Sequence, residues 1–151
     1  MGEINDRVEA ARRNENPAVI CRVRSGFATL ADMQFPRGWC VLLPDPVPAS
    51  LNAMPIEHRG QYLTDMAALG DAILAATDAL RINYSIFGNL APELHAHVVP
   101  RYADEDESMR TKPHWLYPQE KTFAVTFDSE RDRPLMEAIA RHLRDAGVAV
   151  D

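Results

Sequence analysis

The chain has 151 residues, the size of one domain, and its 46% hydrophobic and 25% charged residues suit a folded core rather than a disordered chain. Its net charge of −6 leaves no basic surplus, which excludes a broad grip on a nucleic-acid backbone while leaving room for one small anionic ligand. No apolar run approaches the length of a membrane span, and the polar stretch from Met1 to Glu15 lacks the apolar centre of a secretory signal. A reduced cytoplasm is therefore expected. Cys21 and Cys40 lie in apolar runs and read as buried thiols rather than a disulfide or a metal clip.

In chain order, residues 1–16 read as a polar, partly helical lead-in. Residues 18–24 and 27–33 read as two strands joined by a turn at Ser25 and Gly26. Residues 39–43 are apolar on both faces, as a central strand would be, and Pro44, Pro46 and Pro48 then impose a loop. Tyr62, Met66, Leu69, Ile73, Ala76 and Leu80 recur in steps of three and four, with Leu63, Ala67 and Leu74 widening the stripe. Asp65, Asp71 and Asp78 fall away from its centre. This spacing predicts a long amphipathic helix whose stripe is core. Strands are expected over residues 82–87 and 94–101, and a short one over 123–127. Ser129 opens a final helix containing Leu135, Ile139 and Leu143, and Gly147 ends it. Short turns between strands point to an α+β fold: a five-stranded antiparallel sheet with the long helix on one face. One domain over residues 1–151 is expected, with its core at about 18–102 and a C-terminal extension over 103–151. No glycine-rich phosphate loop follows the first strand.

The chemically informative segment runs from Gly88 to Arg101. On a strand, Leu94, Ala96 and Val98 would share one face, and Glu93, His95, His97 and Arg101 the other. Such a polar face must meet solvent or a ligand. Three readings are open. It is an ordinary exposed face, or a metal site built from His95 and His97 and completed by Glu93 or His114, or a nucleophilic site in which a neutral imidazole attacks phosphorus.

At this segment the sequence resembles the histidine triad family of nucleotide hydrolases and transferases, in which alternating histidines precede Pro-Arg. Pro100-Arg101 anchors the match, His97 and His95 take the places of the third and second histidines, and Glu93 stands at the first. Gly88-Asn89 matches an upstream Gly-Gln. The likeness extends over residues 18–102 and is similar to that of bacterial diadenosine polyphosphate hydrolases. The resemblance implies that His95 attacks the α-phosphate of a nucleoside or dinucleoside polyphosphate, giving a covalent nucleotidyl-histidine. It makes His97 a phosphate partner and gives Asn89 and the Gly88 loop the phosphate oxygens. Asp32 or Gln34 would reach the ribose, and Asn83 and Arg101 would line the site. No metal site and no cofactor are implied beyond Mg2+ accompanying the nucleotide, and the assembly would be a homodimer without nucleic-acid or membrane partners. The chain departs from the pattern at Glu93 and at Trp39, where relatives often carry histidine. A carboxylate beside His95 would favour its charged form. A polyphosphate leaving group needs little protonation whereas an amine needs it, and polyphosphates are preferred over phosphoramidates as substrates. A metal-dependent enzyme and a non-catalytic nucleotide-binding protein remain the alternatives.

Among the remaining residues, His58 and His142 read as surface, and the acidic run 104–107 as a solvated face. His114 reads as a surface loop residue. Trp115 and Tyr117 are candidates either for stacking on a base or for sealing the core.

Overall fold

The hairpin that starts the sheet depends on a glycine. A Cβ at Gly26 would lie 1.9 Å from the Leu43 carbonyl oxygen, so only a residue without one lets the strand that opens at Gly26 close up against the strand that ends at Pro44. A computed structural model describes residues 2–150. It contains β1 (Val19–Val23), β2 (Gly26–Leu30), β3 (Cys40–Pro44), β4 (Arg81–Ser85) and β5 (Ala96–Arg101). They form one antiparallel sheet in the order β1-β2-β3-β5-β4, so the α+β class expected from the sequence is observed.

The register sorts the sheet into two faces. Thr29, Val41, His97 and Ser85 pair successively across β2, β3, β5 and β4, and therefore form one row on one face. Leu30, Cys40, Val98 and Tyr84 form a neighbouring row on the other. Onto this second face packs helix α2 (Ile56–Ala76), through Tyr62, Leu69, Ala72 and Ile73. The Tyr62 hydroxyl donates to the Leu42 carbonyl at 3.0 Å. Helix α5 (Arg133–Asp145) joins them with Leu135, Ile139 and Leu143. Cys21 and Cys40 are buried there, and burial pushes the Cys40 thiol up, out of reach of thiolate chemistry. No helix among the described residues is long and apolar enough to cross a membrane.

Several expectations need correction. The α2 stripe is narrower than its spacing predicted: Leu63 and Leu74 are partly exposed, and Leu80 lies beyond the helix. Asp65 is buried instead, because it accepts hydrogen bonds from the Ser25 amide at 3.0 Å, the Ser25 hydroxyl at 2.7 Å and Gln61 at 2.7 Å. It ties the helix to the β1–β2 turn. The strand expected over 123–127 is reduced to a bridge between Met33 and Thr126, since Phe123 ends a short helix, α4 (Gln119–Thr122), preceded by α3 (Glu107–Arg110).

The polar lead-in is helix α1 (Glu3–Arg12), and it lies on the same sheet face as His97. Ile4, Val8 and Ala11 pack on Phe27 and Leu43, and Arg12 pairs with Asp45. The Ile4, Val8, Ala11 spacing of four and three was the available signal, masked by the charges around it.

Replacing Asp65 with Ala leaves the Ser25 amide and hydroxyl without their acceptor. A loss of about 1–3 kcal/mol in unfolding free energy is expected, read from the urea midpoint at unchanged slope.

Candidate functional site

The sheet face opposite α2 is covered at one side by α1 and at the other by the segment 107–117, leaving a cleft of about 510 Å³ between them. His97 lines it from β5 and His95 from the residue just before that strand, Gly88 and Asn89 from the loop after β4, Asp32 from just beyond the end of β2, and Trp115 from the extension. Gly88 has φ 68°, a left-handed conformation that glycine adopts without strain, and it turns the loop towards the cleft. Phe87 and Trp115, each about half exposed, meet edge to face at 4.7 Å at the mouth.

The two histidines are held by different partners. His95 Nδ1 lies 2.8 Å from the Glu93 carbonyl oxygen. A carbonyl only accepts, so Nδ1 carries the hydrogen and Nε2 of the neutral ring keeps its lone pair. His97 Nδ1 lies 3.1 Å from the Trp39 indole nitrogen, which donates to it. Burial, and then the neighbouring His95 and His114, lower the His97 pKa to about 4, so this ring is neutral at physiological pH. The two imidazole rings meet edge to face, 5.0 Å apart.

Not every predicted site residue reaches the cleft. Glu93 precedes β5, which begins at Ala96, so strand alternation does not govern its side chain. Its carboxylate accepts from Asn5 of α1 at 3.3 Å instead of standing beside the His95 ring. The substrate preference based on that carboxylate loses its basis. Gln34 is buried with its amide spent on the backbone: it donates to the Ala31, Met33 and Trp39 carbonyls and accepts from the Gly38 amide. It is a turn-holder rather than a ribose ligand. Arg101 is buried, pairs with Glu105 at 3.1 Å, donates to Asn83 at 2.8 Å and to the Met109 carbonyl at 3.1 Å. Arg101 and Asn83 thus clamp the extension to the sheet and do not line the cleft. Asp32 does, and Arg7 of α1 grips it at 2.5 and 2.9 Å, holding its carboxyl below the usual range.

His114, expected on the surface, is buried in a 3-10 turn (His114–Leu116). Its ring packs 4.7 Å from Trp39 and 6.1 Å from His97. Burial and the nearby Arg101 charge lower its pKa to about 4. Its Nδ1, like the Ser85 hydroxyl across from His97, is buried without a partner among the described residues. Tyr117 is buried too, beneath the Arg101 guanidinium and bonded to Glu105. Sequence gave no periodic cue for this segment, because its burial is imposed by the Arg101 clamp.

The Glu93 carboxylate is turned away, and among the described residues no group of three or more His, Cys, Asp or Glu side chains is placed to hold a metal ion.

No family model matches the sequence, and no curated protein matches it. Solved structures do. A histidine triad protein from Marinobacter aquaeolei superposes with a TM-score of 0.71 over 96% of this chain and 98% of its own, at 18% identity. The chain has the histidine triad fold. A histidine triad protein from Sinorhizobium meliloti aligns with a TM-score of 0.69 over 87% of this chain and 94% of its own, at 20% identity. A hypothetical histidine triad nucleotide-binding protein from Sulfolobus tokodaii gives a TM-score of 0.71 over 93% of this chain and 92% of its own, at 12% identity. At these identities the histidine triad fold is what the chains share. The Marinobacter protein aligns with 96% of this chain, a span too long to leave out either the whole of α1 or the extension.

His97 and His114 are neutral in the folded chain down to about pH 4, whereas unfolded histidines bind protons near 6.5. Between these limits the unfolded state holds more protons, so stability is complete above pH 6.5 and falls as the pH drops towards 4. His114→Phe should make the slope of Tm against pH in this window shallower.

Proposed function

We propose that the chain is a nucleotide hydrolase or nucleotidyl transferase of the histidine triad type, acting at the α-phosphate of a nucleoside or dinucleoside polyphosphate. The observation that carries this reading is the His95 ring in the cleft with Nδ1 donating to the Glu93 carbonyl. That contact leaves Nε2 as an uncharged nucleophile in one fixed tautomer. In the first step Nε2 forms a bond to the α-phosphorus and the bond to the leaving phosphate oxygen breaks. In the second, water or another acceptor hydroxyl attacks the same phosphorus, the N–P bond breaks, and the acceptor's proton is released. A nucleoside monophosphate, free or joined to the acceptor, leaves the cleft.

The remaining groups serve charge and position. The Gly88-Asn89 loop offers amide hydrogens and a carboxamide to the phosphate oxygens. His97 offers a neutral N–H donor. Asp32 is the carboxylate placed to meet a ribose, and doing so requires it to share or release Arg7. Trp115 and Phe87 supply aromatic surface at the mouth. The chemistry asks for no cofactor; Mg2+ would arrive with the polyphosphate. The same reading takes the chain as one domain, working as a homodimer in the cytoplasm.

His95→Ala should lower nucleotide turnover by about three orders of magnitude or more, equivalent to about 4 kcal/mol of barrier, with the fold intact by circular dichroism. Turnover equal to the parent would remove this mechanism. A metal-dependent route would instead show loss of activity on chelation that added Mg2+ does not restore.

A further inference from the structure

We propose that Trp39 is a positioning residue: its indole N–H fixes His97 as the tautomer that carries its hydrogen on Nε2, so that this ring meets the substrate as a neutral donor of invariable direction. The inference rests on His95 being the attacking group and adds how its neighbour is prepared.

An indole nitrogen can donate a hydrogen bond and cannot accept one. The 3.1 Å contact between Trp39 Nε1 and His97 Nδ1 therefore has one possible polarity, with Nδ1 as acceptor. A neutral imidazole with an accepting Nδ1 holds its hydrogen on Nε2. The two histidines are thus set in opposite tautomers by two unlike partners. A carbonyl acceptor puts the hydrogen of His95 on Nδ1 and frees Nε2, whereas an indole donor clears Nδ1 of His97 and places its hydrogen on Nε2.

Trp39 is held firmly enough to act in this way. It is only 8% exposed and packs with Ala31 and Val99. The His114 ring closes against it at 4.7 Å, and Arg101 pins the extension that carries His114. Its own carbonyl accepts from Gln34 at 2.9 Å, which fixes the turn leading into β3. Protonating His97 would set two N–H groups against each other across a buried 3.1 Å contact. That penalty acts in the same direction as burial, which already depresses the pKa of the ring. The titratable neighbours facing His97 are His95 from its own segment and His114 from the extension. In this arrangement His97 acts as a fixed dipole aimed at developing phosphate charge and not as a carrier of protons in the neutral range.

The test is a comparison of the full-length chain with Trp39→Phe, which keeps an aromatic ring and removes the donor. Long-range ¹H–¹⁵N spectra at neutral pH should show His97 with an unprotonated Nδ1 and a protonated Nε2 in the parent. In the variant the two nitrogens should move towards the averaged values of a tautomer mixture. With a nucleoside polyphosphate as substrate, kcat should fall by about ten- to a hundredfold, the loss typical when a histidine that binds a metal loses the hydrogen-bond partner that fixes its tautomer. KM should change by no more than about twofold, because ground-state binding is left in place. A parent spectrum with the hydrogen on Nδ1 overturns the proposal. So does a variant whose tautomer and kcat both match the parent. If the variant does not fold, the parent spectrum decides alone. The spectrum does not depend on turnover: a locked tautomer in a chain that hydrolyses no nucleotide would support the role of Trp39 while removing the reading of His95.

Discussion

The chemistry of the cleft depends on one backbone carbonyl. Glu93 O, 2.8 Å from His95 Nδ1, is the group that holds the hydrogen of the neutral imidazole on Nδ1 and leaves Nε2 with its lone pair. Because the acceptor is a peptide carbonyl, the side chain at position 93 does not enter into it. The chain can therefore carry glutamate where its resemblance calls for histidine and keep the feature on which the proposed attack at phosphorus relies. The glutamate carboxylate is used elsewhere, bonded to Asn5 of α1. What the sequence presents as a defect in the motif is a change in how the first helix is fastened.

The sheet supplies the second constraint. Thr29, Val41 and His97, from one row of the sheet, give the cleft a floor in which the imidazole lies beside a hydroxyl and an apolar side chain. Helix α1 and the extension close over this floor from opposite sides, held by the Arg7–Asp32 pair and the Arg101–Glu105 pair respectively. Both covers remove water from the histidines, which keeps His97 and His114 uncharged and strengthens any electrostatic contact made inside. The anion would be met by oriented dipoles rather than by a cluster of cations, in keeping with a chain whose net charge is −6.

Much of the architecture was legible because period-two and period-3.6 patterns survive in the elements that touch the core. Leu69 and Ile73 announce α2, and Ala96 and Val98 announce the buried face of β5. The pattern misled where a polar residue was buried for its hydrogen bonds. Asp65 fits no apolar stripe, yet it is a buried acceptor, and Gln34 looks like a ligand but serves its own turn. Arg101 shares the face of His97 and by its motif would line the site, but its guanidinium is consumed by Glu105, Asn83 and the Met109 carbonyl. His114 and Trp39 were the hardest to foresee. Their contact joins positions 75 residues apart and exists only because that clamp folds the extension back over the sheet.

The most direct measurement is mass spectrometry of the chain quenched by rapid mixing during its first turnover with a dinucleoside polyphosphate. An added mass of one nucleoside monophosphate, mapped to the peptide containing His95 and decaying as product forms, is the result expected. Product released at the full rate with no such adduct at any time, or an adduct on another residue, would contradict the assignment of His95 as the attacking group.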